Sequence, residues 1–124
     1  MNIKVCDLSE VRLYIGAQEG YDGRIYDENE LVDAIQKFQK DQPEDHRMPV
    51  RVTATRYVHC GYQERGWEIS CVNYPRYKKT FSMVNEFMNK MAEHLMVCFR
   101  QHRVSIAVPH ENIIKMIQPD HFED

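Results

Sequence analysis

The sequence contains no long apolar run of the kind that crosses a membrane. No window of its 124 residues approaches the roughly 18 consecutive apolar positions that a spanning helix requires. Residues 1–7 have no apolar segment typical of a secretory signal. Repeats, low-complexity tracts and linker-like stretches are also missing. We therefore expect a cytoplasmic protein without a membrane partner.

The sequence also lacks a large net charge and closely spaced cysteine pairs. The formal net charge is only -3, and the four cysteines form no Cys-x-x-Cys pair. In a cytoplasmic protein, scattered thiols are usually reduced and buried. We therefore predict structural roles for Cys6, Cys60, Cys71 and Cys98, with Cys98 as a small core residue.

Known catalytic and metal-binding motifs are absent from the sequence. There is no P-loop, dinucleotide-binding fingerprint, nucleophile elbow or zinc-hydrolase motif. The histidines lack tight ligand spacing, and His59 and Cys60, as neighbours on a strand, point to opposite faces of a sheet. We therefore predict no metal and no cofactor, and we favour a binding protein over an enzyme.

The first third of the chain has the pattern of a strand, a ribbon and a helix. Residues 11–16 alternate apolar with polar or aromatic positions, as a half-buried strand does. Residues 16–23 contain three glycines and predict a small β-ribbon that turns at its tip. Asp27 and Glu30 form a capping-box pattern that starts a helix, which ends before Pro43.

The middle of the chain predicts a β-hairpin. Residues 50–60 and 67–74 have the composition of strands, and glycines at both ends of residues 61–66 indicate a turn between them. With the turn centred between Gln63 and Glu64, Cys60 lies opposite Trp67.

The last third has the clearest helical signal. A cap at Thr80 or Ser82 precedes an apolar stripe with the spacing of one helix face. The stripe comprises Val84, Phe87, Met88, Met91, Leu95, Cys98 and Phe99. Residues 103–108 follow as a strand, and residues 112–117 as a helical turn or an extra strand.

This order of elements predicts an α+β fold with ferredoxin-like βαββαβ topology. Two right-handed crossovers place both helices on one face of an antiparallel sheet. We predict one domain over residues 1–124, with its core at about residues 10–109 and a C-terminal extension at 110–124.

The other face of the predicted sheet is polar and aromatic. Its side chains come from Arg12, Tyr14, Arg51, Thr53, Thr55, Tyr57, His59, Glu68, Ser70, Tyr74, Arg103 and Ser105. Arg56 and Asn73 fall on the apolar side, where a bulge, a place at the sheet edge or a ligand role explains them. We predict that the ligand-binding residues are Tyr14, Tyr21, Arg56, Asn73 and Arg76, because rings and arginine forks suit a small planar anion.

The segment of residues 65–72 resembles the third-strand signature of RNA-recognition motifs, whose aromatic residues stack on bases. It departs from that signature at Glu68, Ile69 and Val72. The negative net charge also disfavours phosphate binding. With Trp67 on the helix side of the sheet, we favour a core tryptophan.

The whole pattern resembles the small ferredoxin-like proteins of the CutA and PII-type signalling families. The likeness lies in chain length, element order, the long hairpin and the extra element at the end. Those families are homotrimers that bind small ligands or metals at clefts between subunits, so the resemblance implies a homo-oligomer. No family motif matches, and no functional residue is carried over.

Our leading hypothesis is a non-enzymatic, homo-oligomeric domain that senses or sequesters a small anionic ligand of nucleotide-like type. One alternative is a small hydrolase-type enzyme that uses His59 and Glu68 together with Tyr57. A further alternative is an RNA- or protein-interaction module, in which the net charge argues against RNA.

Overall fold

A five-stranded antiparallel sheet covered by two helices forms the body of the chain, in a computed structural model that describes residues 1–20, 23–76 and 79–119. The strands are β1 (Glu10–Gly16), β2 (Arg51–His59), β3 (Tyr62–Val72), β4 (Val104–Val108) and β5 (Ile113–Ile117). The helices are α1 (Glu28–Asp41) and α2 (Phe81–Cys98). The strands lie in the order β2-β3-β1-β4-β5. This arrangement confirms the predicted α+β class and is consistent with a ferredoxin-like fold.

Local sequence signals set the starts of both helices. The Asp27 side chain accepts a hydrogen bond from the Glu30 amide at 2.9 Å, and the Glu30 side chain accepts one from the Asp27 amide at 3.1 Å. This capping box pairs amide groups that the first turn of α1 cannot pair internally. Thr80 caps α2, because its hydroxyl accepts from the Met83 amide at 3.2 Å.

The hydrophobic core lies between the helices and one face of the sheet. Its fully buried side chains include Val11, Leu13, Leu31, Ile69, Val84, Met88, Met91, Leu95, Val104 and Ile106. Trp67 is buried among them, as predicted. The predicted apolar stripe of α2 is therefore a packing surface.

The cysteines differ from the prediction. Cys71 is buried, whereas Cys6, Cys60 and Cys98 are exposed. Cys98 is the last residue of α2, and the chain turns there so that Phe99, at 4% exposure, occupies the core position instead. The prediction of a buried Cys98 was therefore wrong.

The hairpin turn also differs from the prediction. His59 pairs with Tyr62, so the turn consists of Cys60 and Gly61, whose φ angles are 45° and 86°. Positive φ at both central residues is the geometry of a tight type I′ hairpin turn, which asparagine and glycine usually signal and cysteine does not. Most of residues 61–66, predicted as the turn, therefore belongs to β3.

The new register leaves the two faces of the sheet as predicted. Trp67 lies opposite Ala54 in place of Cys60, which is a shift by an even number of residues. Arg56 stays on the helix side, and the pairing through this part of β2 is regular, without a bulge. Arg56 is nevertheless exposed, because the hairpin extends past the part of the sheet that the helices cover.

Two smaller elements complete the description. Residues 113–117 form the extra strand, which pairs with β4, so the strand option of the prediction is correct. Gln18 and Ile25 form an isolated bridge that matches the predicted ribbon, while Tyr21 and Asp22 at its tip lie outside the described residues. Within the described ranges, no helix is long and apolar enough to cross a membrane.

Candidate functional site

The face of the sheet opposite the helices carries a broad pocket, here named the open-face pocket. It has a volume of about 660 Å³. It is lined by Tyr14, Ile15, Gly16, Tyr57, Glu64, Arg103, Ser105, Ala107 and Ile114. All five strands contribute to its lining, so the pocket exists only when the whole sheet has assembled.

Strand pairing brings the polar residues of this pocket together from distant parts of the sequence. Tyr14 on β1 lies opposite Glu68 on β3 and, on its other side, opposite Ser105 on β4. Glu68 in turn lies opposite Thr53 on β2. Directly opposed residues in an antiparallel pair have Cβ atoms only about 5 Å apart. A tyrosine, a carboxylate and hydroxyl groups therefore form one row across four strands.

Two glycines make room at the floor of the open-face pocket. Gly16 and Gly66 are partners at the end of the β1–β3 ladder. A Cβ atom on Gly66 would lie 2.5 Å from the Ile15 carbonyl oxygen, closer than such contacts come in proteins. A Cβ atom on Gly16 would lie 2.8 Å from Glu64 Oε1. The absent side chains thus let the strands approach closely and let the Glu64 carboxylate lie over Gly16.

An arginine holds the carboxylates at the Glu68 side of the pocket. Arg12 Nε lies 2.6 Å from Glu10 Oε1 and 3.8 Å from Glu68 Oε1. The hydrogen bond to Glu10, followed by that to Tyr14, raises the pKa of Arg12 above its ordinary value. The guanidinium therefore stays charged and orients the side chains around it.

Tyr57 joins this cluster from β2. Burial, followed by the neighbouring Tyr14, Glu68 and Glu64, raises the pKa of Tyr57 above its ordinary value. Its hydroxyl therefore stays protonated at neutral pH and can donate a hydrogen bond. Because about half of the side chain remains exposed, its ring is accessible to a ligand.

The predicted ligand-binding residues do not all lie at this site. Tyr14 lines the open-face pocket. Arg56 lies on the helix side of the exposed hairpin, where its Nη1 donates to Gln63 Oε1 at 3.3 Å. Arg76 is exposed and follows β3, and Tyr21 lies outside the described residues.

Asn73 holds the N-terminal segment of the chain. Its Oδ1 accepts a hydrogen bond from the Ser9 amide at 2.6 Å, and its Nδ2 donates to the Asp7 carbonyl oxygen at 2.6 Å. These bonds satisfy the side-chain amide, which explains how a polar residue is accommodated beside the apolar face.

The residues of the hydrolase alternative do not converge. His59 lies opposite Tyr62 at the hairpin turn, whereas Glu68 lies opposite Thr53. From position 53 to position 59 a strand rises by about 20 Å. Tyr57 and Glu68 therefore share the pocket cluster, and His59 stands apart from it. In the described ranges, no three His, Cys, Asp or Glu side chains are arranged to hold a metal ion.

Glu64 and the two glycines at the floor were not predicted as part of the site, because residues 61–66 were expected to form a turn. Gly66 carried a signal that could have corrected this. A glycine next to a run of strand-forming residues can mark a close approach of another backbone as well as a turn.

A second groove, of about 790 Å³, lies beside the end of α2. Its walls include the apolar side chains of Met96, Val97 and Pro119. The groove also contains an ion pair, in which Arg100 Nη1 lies 3.4 Å from Glu19 Oε1. The open-face pocket is the stronger candidate for chemistry, because two tyrosines and the Glu64 carboxylate line it and Glu68 lies beside them.

Comparison with known proteins identifies the fold. No protein-family model matches the chain, and no curated protein matches it in sequence. The solved structure of a phage SAM lyase in complex with S-methyl-5′-thioadenosine matches with a TM-score of 0.63 at 17% identity, over 99% of this chain and 98% of that chain. A phage SAM lyase in the apo state matches with a TM-score of 0.59 at 18% identity, over 93% and 92%. Identities this low establish similarity of fold.

These structures correct the predictions made from the sequence. The fold neighbours are phage SAM lyases, and the CutA and PII-type resemblance is not confirmed beyond the α+β class. The prediction of a non-enzymatic domain is contradicted, because the proteins that share the fold over nearly the whole chain are named as lyases. Neither the hydrolase alternative nor the RNA- or protein-interaction alternative gains support from them.

Proposed function

We propose that this chain is a lyase that binds SAM (S-adenosylmethionine) in the open-face pocket and releases S-methyl-5′-thioadenosine. The observation that carries the proposal is a cluster of two tyrosines and two carboxylates, in which Tyr14, Tyr57 and Glu64 line the pocket and Glu68 lies beside them on β3. The cluster lies in a chain whose fold matches, over 99% of its length, a SAM lyase bound to that thioadenosine.

The charges around the pocket suit this substrate. SAM carries a positive sulfonium, a positive ammonium and a negative carboxylate, so its net charge is positive. Glu64 and Glu68 offer opposite charges to the cationic groups, and Arg103 at the border of the pocket offers one to the carboxylate. The site therefore suits a zwitterionic cation better than the anionic ligand predicted from the sequence.

The two tyrosines suit the rest of the molecule. The face of an aromatic ring attracts a cation such as a sulfonium, and it stacks on a nucleic-acid base such as adenine. Tyr14 and Tyr57 present two such rings in one pocket. The volume of about 660 Å³ falls within the range of roughly 300–1,000 Å³ that is typical of small-molecule sites.

The proposed reaction breaks the bond between the sulfonium sulfur and Cγ of the amino-acid chain. The sulfur keeps the electron pair and leaves as a neutral thioether, S-methyl-5′-thioadenosine. An oxygen of the substrate's own carboxylate forms the new bond to Cγ, which closes a five-membered lactone. No water and no proton is consumed, so all atoms of the substrate are recovered in the two products.

The pocket can favour this reaction in two ways. Carboxylates that bind the ammonium group hold the amino-acid chain in the folded conformation that brings its carboxylate oxygen to Cγ. The attack also neutralises one negative and one positive charge, so surroundings less polar than water favour the transition state over the ground state. The rings of Tyr14 and Tyr57 provide such surroundings.

We propose further that the active unit is a homo-oligomer in which a second copy covers the open-face pocket. The pocket lies on a sheet face without helices, and apolar side chains around it, including Tyr57, Ile114 and Met116, are exposed. Burial of apolar surface contributes about 25 cal/mol per Å² to association. A covered pocket would also keep water away from Cγ and so prevent hydrolysis.

Incubation of the purified protein with SAM tests the proposed activity. We expect S-methyl-5′-thioadenosine to be released and, in ¹⁸O-labelled water, the initial four-carbon product to contain no solvent oxygen, as mass spectrometry would show. Glu64→Gln keeps the size of a side chain that lines the pocket but removes its charge, and it is expected to lower kcat/KM about 100-fold. Glu93→Gln, an exposed carboxylate on α2, is the matched control and is expected to react at the wild-type rate.

Two outcomes would contradict this proposal. Wild-type protein that releases no thioadenosine excludes the reaction. Equal rates for Glu64→Gln and Glu93→Gln exclude the open-face pocket as its site.

A further inference from the structure

Residues 1–8, here named the arm, form an exposed apolar segment at the start of the chain. Every residue of the arm is exposed. The exposed fractions of its large apolar side chains are 116% for Met1, 81% for Ile3, 87% for Val5 and 71% for Leu8. Apolar surface that is concentrated in this way marks a place of association.

The arm has the sequence pattern of a β-strand. The apolar residues Met1, Ile3 and Val5 alternate with the polar residues Asn2 and Lys4, which is the period of a strand with one buried face. The strands among the described residues begin only at β1, so the arm lies outside the sheet of its own chain. Five residues of extended chain span about 17 Å, which matches a strand as short as β5.

Asn73 anchors the end of the arm that joins β1. Besides its side-chain bonds to Ser9 and Asp7, its backbone amide donates to the Ser9 carbonyl oxygen at 3.1 Å. Because Asn73 directly follows β3, these bonds hold residues 7–9 beside the end of β3, with β4 and β5 on the other side of β1. Within the described residues, the arm makes no strand pairing with the β5 edge of its own sheet.

β5 is the sheet edge best suited to accept an added strand. It is the last strand in the sheet order, and it contains one charged residue, Lys115, and no proline. Ile114 and Met116 are 67% and 45% exposed. An exposed apolar edge strand of this kind is a template for pairing with another chain. The opposite edge, β2, carries two arginines and is the poorer acceptor.

We propose that the arm of one copy of this chain adds as a strand to β5 of a second copy. Its apolar side chains pack on the face that presents Ile114 and Met116, and its polar side chains face the other way. Main-chain hydrogen bonds supply affinity in such an addition, and the alternate side chains set the register. Asn73 serves this contact by anchoring the root of the arm. The contact does not depend on the proposed lyase activity.

Sedimentation of three variants against wild type tests the strand addition. Val5→Lys alters the arm, Met116→Lys alters the accepting face, and Val97→Lys alters a valine on α2 that is 75% exposed and serves as the matched control. We expect wild type and Val97→Lys to form the same discrete oligomer at micromolar concentration. Val5→Lys and Met116→Lys are each expected to raise the dissociation constant about tenfold or more.

Two results of this experiment would overturn the proposal. A wild-type protein that stays monomeric over the whole concentration range overturns the proposal. Assembly that Val5→Lys leaves unchanged also overturns it, even where Met116→Lys weakens assembly, because β5 would then bind something other than the arm. Since Val5 lies outside the core, a folding defect cannot account for the behaviour of that variant.

Discussion

The two faces of the sheet are built from the same strands but differ in their surroundings: one packs against the helices and the other carries the open-face pocket. On β1, Val11, Leu13 and Ile15 are buried against the helices. Between them, Arg12 binds carboxylates and Tyr14 lines the open-face pocket. Successive residues of β1 therefore belong alternately to the core and to the candidate site. We therefore expect substitutions one residue apart to separate the stability of the fold from the binding of a ligand.

The largest expected effect is a loss of stability on the helix side. Leu13→Ala removes a fully buried side chain and is expected to lower the free energy of unfolding by about 2–5 kcal/mol. Tyr14→Ala is expected to lower it by only about 1 kcal/mol, because a partly exposed side chain loses its cross-strand contacts and its hydrogen bond with Arg12. The same Tyr14→Ala change is expected to weaken binding of S-methyl-5′-thioadenosine about tenfold or more. Urea denaturation and calorimetry measure the two quantities, and equal destabilisation by both changes would show that the faces are not separable.

A substitution at Gly66 is expected to affect both the stability of the sheet and the candidate site. Gly66→Ala adds a Cβ atom 2.5 Å from the Ile15 carbonyl oxygen, so β1 and β3 have to move apart. We expect the free energy of unfolding to fall by about 1–3 kcal/mol. Ligand binding is expected to weaken as well, because Glu64 lies over the adjoining Gly16. A variant that keeps wild-type stability and affinity would show that the close approach is unimportant.

The smallest expected effect is a change in how the stability of the fold depends on pH, and it arises from Tyr57 on the open face. Burial, followed by Tyr14, Glu68 and Glu64, raises the pKa of Tyr57, so the folded chain holds this proton more tightly than the unfolded chain. The resulting stabilisation is complete below the ordinary tyrosine pKa of about 10 and is lost as pH rises through the raised value. We expect Tyr57→Phe to lose less stability above about pH 10 than wild type does. Urea midpoints measured at stepped pH test this, and identical curves would contradict it.

Much of the fold could be predicted because its signals are local. The capping box of Asp27 and Glu30 and the apolar stripe of α2 lie within short windows of sequence. The turn at Cys60 and Gly61 was missed because positive φ at a cysteine has no such signal. The faces of the hairpin were still correct, since the register error was an even number of residues.

The candidate site could be predicted only in part. Tyr14 was placed on the open face from strand alternation, which is a local pattern. Glu64 was missed, because its position over Gly16 depends on a contact between strands that are far apart in sequence. The anionic ligand was inferred from arginines counted without their partners. Arg12, for example, binds Glu10, so its charge is already balanced within the fold.

The unequal lengths of β1 and β3 give the two tyrosines of the open-face pocket different support. β3 has 11 residues and β1 has 7, and their ladder ends at Gly66. Past that point the Ala17 amide still donates to the Arg65 carbonyl oxygen at 2.9 Å, and the rest of the hairpin, which carries Tyr57 and Glu64, is held mainly by the pairing of its own two strands. Tyr14 stands on the central strand, which has neighbours on both sides. We therefore expect the hairpin to open more readily than the middle of the sheet, and a ligand held between the two tyrosines to reduce that difference.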